Sequence, residues 1–305
     1  MKLNGPLVSV VIPHLNQPEE LEACLCSLDA QHLDHALYDI IVVDNGSAAP
    51  PDAIVARHSG ARLLHESRPG PGPARNAGVR DATGEVLAFI DADCRADADW
   101  LRNALQALPS PPDGTILGGD VRIWHDNGKP VTAIEAYEGV FAYRFKLYIE
   151  RHGFSGTGNL VVRRADFATI GPFADIAVAE DIDWGRRACD AGFRFRYDPQ
   201  MIVYHPARRT LRELCVKWDR QIQHAINITR ETPGWRIRWV GRALAVLASP
   251  AIDFLKVLSS DRIQGTAARL KAILVLIAIR AHRAQKMLSL MGESRRIVWN
   301  RDTAV

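Results

Sequence analysis

Asp91 and Asp93 stand one residue apart at the end of a continuously apolar run, Val86-Leu87-Ala88-Phe89-Ile90. Such a run reads as a strand buried on both faces of a parallel sheet. Two acids at its carboxyl end project into the crevice where open α/β sheets bind ligands. There they can hold a divalent cation and, through it, a diphosphate, because Mg²⁺-type ions prefer one or two carboxylates plus phosphate oxygens to a full protein cage. The same pair can also serve merely to open the next helix, with Asp97 as its cap.

Other candidates surround this pair. Ile40-Ile41-Val42-Val43 runs directly into Asp44-Asn45-Gly46-Ser47, which delivers a second acid to the same sheet edge. Arg75 falls in the first turn of a helix, where a cation opposes the helix dipole unless an anion lies nearby. Gly156, Thr157, Gly158 and Asn159 form a glycine-rich loop before a short strand, and glycine there lets backbone approach a ligand closely. Glu180, Asp181 and Asp183 open a helix that passes through Trp184 and Arg187, a place where the macrodipole favours acids in any case. His205 follows Ile202-Val203-Tyr204 and is either a surface histidine or a ligand.

The elements that must position these groups alternate. Strands are expected at Val8–Ile12 (ended by Pro13), 40–43, 61–65, 86–90, 115–124, 193–197 and 202–204. Helices are expected from Gln17-Pro18, from Pro73 to Ala82, from Asp97 to Leu108 and from Glu180 to Ala191-Gly192. Strand and helix in turn, with short connections, give a doubly wound α/β sheet.

Composition agrees with a globular chain: 305 residues, 47% hydrophobic and 24% charged. The five cysteines form no Cys-x-x-Cys pair, and Met1 to Pro6 holds no apolar signal region, so a reducing, cytoplasmic compartment is the expectation. The net charge of +3 hides an asymmetry, because residues 235 to 305 carry thirteen Lys/Arg against four Asp/Glu.

Five motifs now stand in one order: the apolar strand to Pro13, Val-Asp-Asn-Gly-Ser at 43–47, Ala-Arg-Asn-Ala-Gly at 74–78, Gly-Glu-Val-Leu-Ala-Phe-Ile-Asp-Ala-Asp at 84–93 and Glu-Asp-Ile-Asp-Trp at 180–184. Together they resemble the inverting family 2 glycosyltransferases of the GT-A fold, over roughly residues 7 to 210. The resemblance implies a Rossmann-like mixed sheet flanked by helices. It divides residues 1–210 into a nucleotide-sugar donor half, 1–125, and an acceptor half, 126–210. It implies that Pro13, Asp44, Asn45, Arg75 and Asp91 line the nucleotide pocket, and that Asp93 with Asp91 and His205 holds Mn²⁺ or Mg²⁺. Asp181, beside Glu180, is the implied general base, and the loop Gly156–Asn159 with Trp184 is implied to face donor and acceptor. Two departures stand out: Asn45 replaces a frequent second Asp, and Cys94 replaces a frequent third acid.

The implied activity moves a sugar from a nucleotide diphosphate sugar, a UDP-sugar being the expected donor, to a hydroxyl of a glycan or lipid-linked acceptor in cell-envelope polysaccharide synthesis. Val216-Lys217-Trp218-Asp219-Arg220-Gln221 lacks the Gln-x-x-Arg-Trp motif of processive synthases, so one sugar per encounter is expected. A nucleotidyltransferase would want a Gly/Lys/Arg-rich loop after the first strand, where Pro13-His14-Leu15-Asn16 stands. A non-catalytic nucleotide-sugar binder would not need Glu180-Asp181.

Residues 211–305 read as a helical extension. Trp239, Leu244, Leu247, Ile252 and Leu255 make a broad apolar face divided or kinked at Pro250, and a second helix spans Thr266 to Met291 with Leu270, Ile273, Leu274, Ile277 and Leu288 on one side. Neither segment offers 18 uncharged apolar residues, which disfavours a transmembrane span. Basic amphipathic helices of this kind suit a peripheral position on the cytoplasmic face of a membrane, or packing on the catalytic body or on a second subunit. Nucleic acid is disfavoured, because the basic residues alternate with leucines rather than with a stacking array of aromatics.

Overall fold

The computed structural model describes residues 6–126, 128–175 and 179–292. They form two compact units. The first comprises the described residues up to Trp124 together with those of Tyr143–Pro206; the second comprises those of His125–Ala142 and those from Ala207 onward. Residues 125–142 thus group with the C-terminal helices rather than with the sheet.

The strands are β1 (Val8–His14), β2 (Tyr38–Asp44), β3 (Ala61–His65), β4 (Val86–Ile90), β5 (Arg95–Ala96), β6 (Thr115–Ile123), β7 (Asn159–Arg163) and β8 (Arg194–His205). The helices are α1 (Pro18–Asp29), α2 (Asp52–Val55), α3 (Pro71–Asp81), α4 (Trp100–Ala107), α5 (Ala133–Phe141), α6 (Phe145–His152), α7 (Arg164–Ile170), α8 (Glu180–Asp190), α9 (Leu211–Thr229), α10 (Trp235–Ala248), α11 (Pro250–Leu258) and α12 (Thr266–Ser289). Of these, α5 and α9 to α12 belong to the second unit.

The first unit is one mixed sheet of order β3-β2-β1-β4-β7-β6-β8-β5. β3, β2, β1 and β4 run parallel, while β7 is antiparallel to both β4 and β6. The central strands are apolar throughout because both faces are covered. Val10, Ile12, Ile40, Val42, Ala88 and Ile90 pack toward Leu21, Leu25 and Leu28 of α1 and Trp100 of α4. Val11, Ile41, Val43, Leu87 and Phe89 alternate with them, toward Ala74 of α3, Phe167 of α7 and Trp184 of α8. Each fully buried leucine on α1 contributes about 1.5–3 kcal/mol of burial free energy.

Several boundaries differ from the sequence expectation. α3 begins at Pro71, because Gly70 takes φ +120° and turns the Pro/Gly stretch directly into a helix. The N-cap of α4 is Asp99, whose N–H donates to Asp97 Oδ1 at 3.1 Å. The two expected pieces at 193–197 and 202–204 are one strand, β8, whose register against β6 jumps from Asp198 to Ile202. That irregularity absorbs Pro199, which has no N–H for a ladder.

In the second unit, α12 buries Leu276 and Ile279 against Ile134 and Tyr137 of α5 and Leu214 of α9. Trp239 of α10, one residue of the broad apolar face read from sequence, lies inside, packing with Ile222, Ile226 and Met287 and donating from Nε1 to the Met287 carbonyl at 2.7 Å. Pro250 divides α10 from α11, where its missing N–H costs nothing at a helix start. Outward apolar rows remain: Ile237 and Leu244 on α10, Ile252 and Leu255 on α11, Leu270, Leu274 and Ile277 on α12.

Candidate active site

The chain order of the sheet reverses at β1, which has β2 on one side and β4 on the other. This switch point opens a crevice beyond the strands' carboxyl ends, and it receives His14, Asp44 and Asp91 from β1, β2 and the end of β4.

Arg75 organises the centre of that crevice. It is 3% exposed, and its Nη2 donates to Asp91 Oδ1 at 2.6 Å while Nη1 donates to Glu180 Oε1 at 3.0 Å. Because α3 starts at Pro71, Arg75 lies past its first turn, and the buried cation is neutralised by two acids. Its buried Nε–H has no hydrogen-bond partner. Behind Asp91 the glycine loop fits closely: a Cβ on Gly158 would come 2.7 Å from Asp91 Oδ2, so a larger residue would displace the carboxylate that Arg75 holds.

Asp181 follows Glu180 in the first turn of α8 and accepts the Ile182 N–H at 2.8 Å. Burial raises its carboxyl above the ordinary aspartate value, and the Glu180 charge beside it adds to the rise. A carboxylate so displaced is a stronger base than a solvated aspartate.

Asp93 and His205 meet on the other side of the Asp-x-Asp turn, with Oδ2 3.2 Å from Nε2. His205 Nδ1 lies 2.7 Å from the Pro206 carbonyl and so carries the hydrogen that donates to it. That bond fixes the tautomer, turning Nε2 toward Asp93 and the Tyr143 hydroxyl, which is 2.9 Å away. Burial opposes ionisation of Asp93, but His205 outweighs it and holds the carboxyl below its usual range. Cys94 lies in the same cluster, yet burial pushes its thiol well up and its S–H points to Asp93 Oδ1 at 3.6 Å. The donors suited to a hard divalent ion are therefore one carboxylate and one imidazole, a set that fits Mn²⁺ or Mg²⁺. Tyr143 escaped the sequence reading; its only unusual mark is a backbone φ of +47°, visible in three dimensions alone.

The β2 edge is more structural than the sequence suggests. Burial opposes ionisation of Asp44, but bonds from Ser47, His14 and Gly46 hold its carboxyl low. His14 Nε2 accepts the Gln17 N–H at 3.2 Å, so its Nδ1 carries the hydrogen given to Asp44 at 3.0 Å. Asn45 is a stitch. Its Nδ2 donates to the Glu66 and Arg68 carbonyls at 2.8 and 2.7 Å, and its Oδ1 accepts the Gly70 N–H at 2.7 Å. An aspartate could not make the two donations, which accounts physically for Asn at this position.

Two other expected site residues turn inward. Trp184 is 1% exposed, stacked with Phe167 at 5.5 Å between ring centres, and its Nε1 donates to the Gly171 carbonyl. Asn159 is fully buried; it accepts from Trp100 Nε1 at 2.9 Å and donates to the Asp120 and Met201 carbonyls at 3.0 and 2.8 Å. Both side chains are enclosed by protein groups and brace the elements that carry the crevice. Gly156 and Thr157 are buried in the loop before β7, and Pro13 is half-buried near the end of β1, opposite Val43.

Residues 9–169 match the family described as Glycosyl transferase family 2. The chain is 32% identical over 209 residues to the glycosyltransferase AglE of Haloferax volcanii, covering 67% of this chain and 68% of that one. It is 29% identical over 214 residues to a pre-mycofactocin glycosyltransferase of Mycobacterium tuberculosis, of whose length it spans 44%. The fold superposes with a TM-score of 0.60 on the mannosyltransferase PcManGT from Pyrobaculum calidifontis, solved in complex with GDP-Man and Mn²⁺; identity is 18%, with 94% of this chain and 87% of that one covered. The sheet and flanking helices are those of GT-A glycosyltransferases. The chain belongs to glycosyl transferase family 2.

Proposed function

We propose that the chain transfers a sugar from a nucleoside diphosphate sugar to a hydroxyl of a glycan or lipid-linked acceptor, inverting the anomeric carbon and adding one sugar per encounter. The observation that carries this reading is the Arg75 fork, which ties Asp91 on the donor side to Glu180, the neighbour of the base. Family membership and the GDP-Man and Mn²⁺ held by PcManGT support it. Uridine was the base expected from sequence and guanosine is the base in that neighbour, so both belong in the test.

Asp93 and His205 would hold the metal. A divalent cation bound there supplies positive charge to the departing diphosphate. Asp181 takes the proton of the attacking hydroxyl as the new glycosidic bond forms and the bond to the diphosphate breaks on the opposite face. Glu180 sustains the basicity of Asp181 through its charge, and Arg75 holds Glu180 in place. Asp44 and His14 shape the end of the pocket meant for the base.

The second unit adds a membrane reading. No helix among the described residues is long and apolar enough to cross a membrane. The outward rows of α10, α11 and α12, with exposed Arg236, Arg238 and Arg242 beside them, suit a peripheral position on an anionic leaflet.

The test is nucleoside diphosphate release from a panel of UDP- and GDP-sugars with Mn²⁺, with the product anomer read by proton NMR. Turnover that is lost in Asp181→Asn, giving the opposite anomer, supports the reading; a retained anomer overturns the single displacement.

A further inference from the structure

We propose that Glu22, Cys26 and His58 form a Zn²⁺ site in the first unit, separate from Asp93 and His205, with Asp29 orienting the histidine. α1 turns Leu21, Leu25 and Leu28 into the core. Glu22, Cys26 and Asp29, spaced i, i+4 and i+7, share another face of the same helix. His58 comes from the turn after α2, where its N–H bonds to the Val55 carbonyl at 3.1 Å.

The histidine is the informative residue. It is 6% exposed, and its Nδ1 stands 2.5 Å from Asp29 Oδ2. Its Nε2 is buried with no hydrogen-bond partner, and it lies 3.5 Å from Glu22 Oε1. A ring nitrogen shut away from water without a partner is costly. Here it faces a carboxylate oxygen and a thiol: one ligand atom from each of Glu22, Cys26 and His58 lies within 4.8 Å of the others. Arg57 binds the other oxygen of Glu22, leaving Oε1 directed at the histidine.

Thiolate, imidazole and carboxylate together are a zinc donor set rather than a magnesium one. Bonds of about 2.0–2.3 Å to a central ion require only ångström-scale closing of the present separations. Asp29 on Nδ1 is the partner that fixes tautomer and ring direction for a zinc-bound histidine. Cys26 is exposed, so water can reach a fourth position. The ion would clamp α1, which follows Pro13 and His14, to the connection after β2, which follows Asp44 and Ser47. It would therefore stabilise the half of the sheet that shapes the crevice, whatever the crevice binds.

The experiment uses the full chain freed of metal by chelation and titrated with Zn²⁺ against a chromophoric chelator, then with Co²⁺ as a spectroscopic probe. The expected result is a stoichiometric equivalent of Zn²⁺ retained in Asp93→Ala, with a thiolate-to-Co²⁺ charge-transfer band in the near ultraviolet. In that Asp93→Ala background both disappear when Cys26→Ser is added, and Asp29→Asn weakens Zn²⁺ about ten- to a hundredfold. Zn²⁺ raises the Tm of Asp93→Ala but not of Asp93→Ala with Cys26→Ser, while the two share one Tm in chelator. Zn²⁺ binding to Asp93→Ala that survives the addition of Cys26→Ser, or binding confined to what Asp93→Ala removes, overturns the site.

Discussion

Arg75 Nη1 donates to Glu180 Oε1 across 3.0 Å, joining α3 to the first residue of α8 over 105 positions of chain. The same guanidinium holds Asp91, so the end of β4 and the start of α8 share one buried cation. Removing it leaves two acids facing each other without a counter-charge. Arg75→Ala is expected to lower stability by about 3 kcal/mol, the low end for breaking a buried pair because Asp91 and Glu180 keep some solvent. Arg75→Lys keeps the charge without the fork and recovers only part of the loss. Urea unfolding of the three proteins measures both.

Asp181 carries opposite consequences for activity and stability. Burial, then Glu180, raises its pKa from the ordinary 3.8. The folded state thus binds this proton more tightly than the unfolded chain. Stability from this group therefore falls as pH rises from the ordinary aspartate range through the raised value, and the loss is complete above it. Asp181→Asn removes that loss. Its Tm should exceed that of wild type at pH 7, with the gain fading below about pH 3.5, the ordinary range of aspartate. Its turnover should fall about 10²- to 10⁴-fold, the contribution of a general base. Calorimetric melting across pH, with turnover on the same samples, decides; a lower Tm at pH 7 contradicts the raised pKa.

The acidic limb of the turnover profile follows from the same pair. Wild-type activity should rise with pH through the raised Asp181 value, and Glu180→Gln should move that limb to lower pH by removing the neighbouring charge. An unmoved limb assigns it to another group.

Asn45 is expected to be intolerant of the aspartate its position resembles. Asn45→Asp loses two donations and sets a carboxylate against the Glu66 and Arg68 carbonyls, a cost of about 2–3 kcal/mol. Asn45→Ala, which leaves those carbonyls unpaired but adds no charge, should cost less. Denaturant midpoints of both variants check the order.

The outward rows of the second unit predict vesicle binding that depends on lipid charge. The protein should sediment with vesicles containing anionic lipid, less so at high salt, and Ile237→Glu with Leu244→Glu should abolish it. Equal binding to neutral vesicles contradicts the electrostatic part, and self-association without vesicles assigns the face to a second copy.

Much of the crevice edge was legible in sequence because it is local. Val86–Ile90 announces a strand buried on both faces, and Asp44, Asp91 and Asp93 follow strands directly, so chain order alone puts them at one edge. Inward packing was not legible. Trp184 stands in the same motif as Asp181, but helical rotation turns it into the core beside Phe167 while the acids stay at the crevice. Asn159 looked like a ligand-facing loop residue because nothing in its neighbours reveals the Trp100, Asp120 and Met201 groups that saturate it. Tyr143 and His14 were missed for the same reason: each acts through a partner distant in sequence, His205 and Asp44.

The most direct measurement is calorimetric binding of UDP and GDP, with and without Mn²⁺, to the wild type and to Asp93→Ala. A nucleotide that binds only with Mn²⁺, and not to the variant, is the predicted result. Binding that ignores both the metal and Asp93, or no binding of either nucleotide, contradicts a metal-dependent donor site at the end of β4.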